Sequence, residues 1–181
     1  MIPIEALVII LWVAFIFAGI AREFPRELGA TIGFVTMMLV LDLGSERLGS
    51  LTARLLQLGG LEADGILLRW TLNTAVIVLA LLFMYQGEGL VYGGSSPAGL
   101  PGAVLNATVG ALNWWLVVGT WWYYTHLLDY PIQKLGLYTP PLSTLAQQLV
   151  AIAPMSLLPD ERSWLYLTTF LIFLLVLKVA R

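Results

Sequence analysis

Five groups of residues have types and spacings suited to chemistry or binding. His126 is the single histidine of the chain. A neutral imidazole can ligate a metal, including the magnesium of a chlorophyll-type pigment. The run Trp121-Trp122-Tyr123-Tyr124 just before it offers rings to pack on a macrocycle. The plainer reading is an interfacial histidine bonded to backbone or water. A second group, Arg22, Glu23, Arg26 and Glu27, brackets Phe24-Pro25. Arg22 with Arg26, and Glu23 with Glu27, are like pairs at i,i+4, so one helical ladder is disfavoured. If the chain folds back at Pro25, Arg22 and Glu27 pair across the turn. This connector is then either a solvated anchor or a docking site for a partner or for lipid headgroups.

Trp114, Trp115, Trp121 and Trp122 form two neighbouring heptad rows, one broad aromatic stripe for lipid, a pigment or another subunit. Small residues recur at Gly29-x-x-x-Gly33 and at Ala103, Ala107 and Ala111, where helix backbones can approach closely, within the chain or between subunits. Asn73, Asn106 and Asn113 are amides inside apolar runs and need partners across helices.

The missing chemistry is equally informative. The chain has no cysteine, hence no thiolate nucleophile, disulfide or cysteine zinc site. With one histidine besides, an all-protein transition-metal site is not expected. Neither His-Glu-x-x-His, Gly-x-Ser-x-Gly nor a phosphate loop occurs. Nine Lys+Arg against eleven Asp+Glu give a net charge of −2, with no basic stripe for nucleic acid. No charge falls at the centre of an apolar run, where an ion or proton path would place one. These residues require no cofactor. A bound lipid or pigment is the expected guest, and membrane lipids and other integral membrane subunits are the expected partners.

The positioning elements follow from composition. Of 181 residues, 59% are hydrophobic and 11% charged, and the mean hydropathy is +0.87. A soluble domain of this size has too little polar material to cover so much apolar surface. The fold class is therefore an all-α integral membrane protein: one domain, a helical bundle of four to five transmembrane helices with two interfacial amphipathic helices.

A spanning helix needs about 20 apolar residues. Spans are predicted at about 2–21, 26–42, 66–86, 102–128 and 163–177. The first lacks the basic n-region of a signal peptide, so it reads as an uncleaved membrane helix. Pro25 and Glu27 suit the first turn of the second. Leu48, Leu51, Leu55 and Leu58, with charges between them, predict an interfacial helix over 43–58, ended by Gly59-Gly60. Arg69 can snorkel from the third span. Residues 87–102 read as a loop. Pro140, Pro141, Pro154 and Pro159 forbid a straight span over 132–162, leaving a short interfacial or re-entrant helix over 142–152. Asp160-Glu161 suit the start of the last span, and Lys178 and Arg181 its end. Positive charge divides almost evenly between the two sides. The short, charge-dense connector at 22–27 favours its side as cytoplasmic.

Arg22-x-Phe24-x-Arg26-Glu27, between two apolar spans near the N-terminus, resembles the connector of the first helical hairpin in the colicin V production protein (CvpA) family. Val104-Leu105 and Gly110-Ala111-Leu112, followed by Leu116-Val117-Val118, are similar to the opening of that family's last span. The resemblance covers roughly residues 1–130. Glu23 stands at the family's connector glycine and Asn106 at its first motif glycine, while Ala103 and Asn113 stand at its arginines. The resemblance implies a multi-pass protein of the bacterial inner membrane linked to colicin V production or secretion, with no established catalytic chemistry. The residues themselves point to a non-enzymatic accessory or assembly subunit of a larger membrane complex. A pigment-associated subunit of a photosynthetic or respiratory complex is the further alternative.

Overall fold

The computed structural model describes residues 4–59, 64–86, 91–136, 142–159 and 161–179. Pro140, Pro141, Asp160, Arg181, Gly60 and the first part of the 87–102 loop lie outside them. Among the described residues all regular structure is helical: α1 (Ile4–Arg22), α2 (Phe24–Leu58), α3 (Gly65–Gln86), α4 (Leu100–Leu127), α5 (Thr144–Ala151) and α6 (Ser163–Val179). Short 3-10 turns at Pro131–Leu135 and Met155–Leu157 flank α5. The four helices α1 to α4 are long and apolar enough to cross a membrane, and α6 is a shorter apolar helix.

The α1–α2 turn has a single linking residue, Glu23, at φ 66° and ψ 152°. That region of backbone space is essentially glycine's. Pro25 then occupies the first turn of α2, where its missing N–H costs nothing. Just over half of the apolar window of α2 is buried, against 11% for α1 and α3, so α2 is the central post. It packs on α3, α4 and α6, while α1 lies chiefly on α4.

Lipid chains are as apolar as leucine, so burial alone drives little association, and close packing has to hold the helices together. The tightest approach joins α1 to α4. A Cβ added at Gly19 would sit 2.6 Å from the Asn106 carbonyl oxygen and 2.8 Å from the Gly110 Cα. One added at Gly110 would sit 2.5 Å from the Phe15 carbonyl oxygen. The predicted Ala103, Ala107 and Ala111 row is only half-buried. Glycine makes this backbone contact because even an alanine methyl would not fit. Gly29 is buried in α2, and Gly33 faces the Met84 side chain of α3.

The predicted 26–42 span and the helix expected over 43–58 form one continuous helix. α2 continues unbroken to Leu58, about 52 Å at 1.5 Å per residue, well beyond a hydrocarbon core of about 30 Å. No proline interrupts 43–58, and Gly44 and Gly49 stand singly, so propagation outruns the change in amphipathic character. Leu51, Leu55 and Leu58 remain exposed. The 142–152 segment is a helix of eight residues, capped by the Ser143 hydroxyl accepting from the Ala146 N–H at 3.1 Å.

Candidate functional site

The site is built on Glu27, in the first turn of α2, which has no solvent exposure. Its Oε1 lies 3.2 Å from Nε of Arg22, the last residue of α1. Its Oε2 accepts from the Tyr85 hydroxyl of α3 at 3.0 Å and from Asn113 Nδ2 of α4 at 2.7 Å. Asn113 Nδ2 also donates to the Glu27 carbonyl at 2.9 Å, and Asn113 Oδ1 accepts from the Thr31 hydroxyl at 2.8 Å. Arg22 closes the cluster. Its Nη2 donates to the Met84 carbonyl at 2.9 Å, near the end of α3, and its guanidinium lies 4.1 Å from the Tyr85 ring centroid. All four long helices meet on one carboxylate.

One heptad earlier on α4, Asn106 Oδ1 accepts from the Phe24 N–H at 2.8 Å and from the Ser96 hydroxyl at 2.7 Å. Asn106 and Asn113 thus hold two successive points of the start of α2. Phe24 N–H is an orphan donor of a helix N-terminus, and Asn106 supplies the acceptor that Glu23 does not. Asn73 is also buried, but its Nδ2 has no hydrogen-bond partner among the described residues.

A second polar cluster lies at the other end of the bundle. Arg69 of α3 turns inward: its Nη2 and Nε reach Ser45 Oγ at 2.8 and 3.2 Å, and Nη2 lies 3.6 Å from Glu46. The snorkelling expected of Arg69 gives way to this bond because Gly49 lets the arginine stem lie on α2. Ser163, first residue of α6, bonds both oxygens of Asp42 at 2.7–2.8 Å. These residues line a cavity of about 480 Å³.

No family model, no curated protein and no solved structure matches this chain. Its function has to be read from the geometry.

The connector residues divide. Arg22 and Glu27 pair across the turn, while Glu23 and Arg26 are exposed. Glu27 is therefore removed from the expected docking site: a fully buried carboxylate meets neither a partner nor a headgroup. The aromatic stripe also turns inward. Trp122 is buried and donates to the Tyr130 hydroxyl at 3.1 Å. Trp114 donates to the Val8 carbonyl at 3.0 Å, with its ring 5.8 Å from that of Trp12. Trp115 donates to the Ile152 carbonyl at 2.8 Å. Trp121 is half-buried. The indole N–H groups need acceptors in an apolar medium, and α1 and the segment after α5 provide them.

His126 is exposed at the end of α4, its ring 5.6 Å from that of Tyr130. Among the described residues no group of three or more His, Cys, Asp or Glu side chains is placed to hold a metal. The sequence reading missed Tyr85, Thr31, Asp42, Ser45 and Ser163 as site residues. Only the seven-residue spacing of Asn106 and Asn113 signals that one face of α4 is polar.

Proposed function

We propose that the chain is a non-enzymatic accessory or assembly subunit of a larger bacterial membrane complex, acting by helix–helix and aromatic contacts. One observation carries this reading. The charged groups inside the bundle are turned on one another, while the outer faces carry large apolar side chains, among them Phe17 of α1, Phe83 of α3 and Phe173 of α6. Catalysis needs a reactive group with a route to it. Glu27 is enclosed: Oε2 accepts two hydrogen bonds, and Oε1, which accepts none, faces the Arg22 guanidinium. The surface is what the chain has to offer. α6 touches α2 on one side and turns Ile172, Phe173 and Val176 outward.

The test is purification of the tagged chain in mild detergent with mass spectrometry of what accompanies it. Other integral membrane subunits in fixed ratio are expected. Ile172→Trp with Val176→Trp, tolerable against lipid but bulky against a helix, should release them. A homogeneous particle holding this chain alone would overturn the reading.

A second reading, a secretion or transport role of the colicin V production type, draws support from one detail. Glu23 adopts a glycine-type conformation where the connector pattern of that family has glycine. Similarity at Arg22-x-Phe24-x-Arg26-Glu27 is then similarity in how a one-residue helical turn is built. On either reading the chain resides in the inner membrane. His126 lends the pigment reading no comparable support.

A further inference from the structure

An outward-facing groove runs between α2 and α3, floored by Gly33 and Met84 and walled by Thr36 and Val40 on one side and Val76 and Phe83 on the other. Its volume is about 890 Å³. Its lining is mostly apolar: Gln86 lies on it, and the Thr36 hydroxyl is spent on the Ile32 carbonyl at 2.8 Å. Seven residues beyond Val40 on α2 stands Arg47. Seven residues beyond Val76 on α3, in the opposite chain direction, stands Arg69. Seven residues are two turns, so both arginines lie on the groove-lining stripes of their helices, roughly 10 Å past the end of the groove. Both line the 480 Å³ polar cavity, which Asp42 and Glu46 line as well.

We propose that this composite of apolar groove and polar cavity binds one glycerophospholipid with a phosphoethanolamine headgroup. The lengths agree. From Arg47 to Gly33 is about 21 Å of helix, against about 15 Å for one leaflet of hydrocarbon plus a headgroup. The charges agree too. Two guanidinium groups suit a phosphate, and two carboxylates beside them suit a primary ammonium with three N–H donors. Asp42 is already bonded by Ser163, but an anionic headgroup that draws Arg69 to its phosphate leaves Glu46 without a counter-charge, and only an amine restores one. A trimethylated amine has charge but no donor. A helix of a partner subunit could fill the groove but would not answer the mixed charge of the cavity.

The test uses the full chain in detergent, delipidated and then supplied in turn with phosphatidylethanolamine, phosphatidylcholine and phosphatidylglycerol of identical acyl chains. Native mass spectrometry counts bound lipid, and thermal unfolding reads the stabilisation. One phosphatidylethanolamine per chain is expected, held more tightly than either of the others. Glu46→Gln, at an exposed residue, should cut the preference over phosphatidylglycerol about three- to fivefold. Arg47→Gln should weaken all three lipids by a similar factor. Unfolding without lipid checks that both variants keep the fold. Equal affinity for the three headgroups, or insensitivity to both substitutions in folded protein, would overturn the proposal. So would cross-linking from Phe83 into another chain with no lipid retained.

Discussion

Arg22 and Glu27 form an ion pair at 3.2 Å across a turn whose single linking residue is Glu23. The pair ends one long apolar helix and starts the next. It also gathers a third helix through Tyr85 and a fourth through Asn113.

Removing one charge strands the other. Glu27→Gln keeps an oxygen for Tyr85 and Asn113 but leaves the Arg22 guanidinium without a counter-ion, and a loss of about 3–5 kcal/mol is expected. Adding Arg22→Met to Glu27→Gln removes both charges and should recover part of that loss. Thermal unfolding of the two variants in one detergent checks this. A double variant less stable than Glu27→Gln alone would show that the ion pair is not what the network depends on.

Glu23 holds a conformation that costs a side-chain-bearing residue about 1–3 kcal/mol, less what glycine loses through its freer unfolded chain. Glu23→Gly should therefore raise the unfolding temperature. The Glu23 side chain is exposed, with no side-chain cap bond to lose. A lowered temperature would contradict the strain.

The two glycine contacts should respond differently. Gly19→Ala pushes a methyl against the Asn106 carbonyl and the Gly110 Cα, both backbone atoms that cannot step aside. A loss of about 1–3 kcal/mol is expected. Gly33→Ala meets only the flexible end of Met84, so its loss should be smaller. Equal losses at the two sites would argue against the α1–α4 approach as the tightest contact.

Asp64 begins α3, accepting from the Ile66 and Leu67 N–H groups at 3.0 and 3.3 Å, and it pairs with Lys134. The Lys134 bond, then that from Leu67, hold its carboxyl below the usual value of 3.8. A depressed folded-state pKa contributes stability above the unfolded value and loses it as pH falls through the folded one. The first turn of α3 should therefore keep its amide protection at neutral pH and lose it only below the ordinary aspartate range. In Lys134→Met the loss should begin at higher pH. Hydrogen exchange at Ile66 and Leu67 reads the difference, and identical profiles would dismiss the pair.

Much of this architecture is legible in the sequence because apolar run length and proline position are local signals. The predicted 66–86 and 102–128 spans differ from α3 and α4 by no more than two residues at either end, and 142–152 contains α5. A change of character separates 26–42 from 43–58 in the sequence, but Asp42 alters what α2 faces without breaking its hydrogen bonding. The Glu27 cluster is less legible still. Tyr85 and Asn113 stand 58 and 86 residues from Glu27, and no periodicity within one helix encodes which helices become neighbours. The tryptophan spacing shows one face, but not that carbonyls of Val8 and Ile152 would accept from Trp114 and Trp115.

The backbone contact between Gly19 and Gly110 sets an order of events during synthesis. The chief neighbour of α1 is α4, made ~90 residues later, a delay of about 5–18 s at typical elongation rates. Until then the seat of Gly19 is empty, and α2 and α3 cannot fill it, because α1 barely touches α2. α1 must therefore wait for the partner that fits it. A ribosome stalled before Gly110 should leave α1 open to a cross-linker placed at Gly19, and one stalled well beyond it should not.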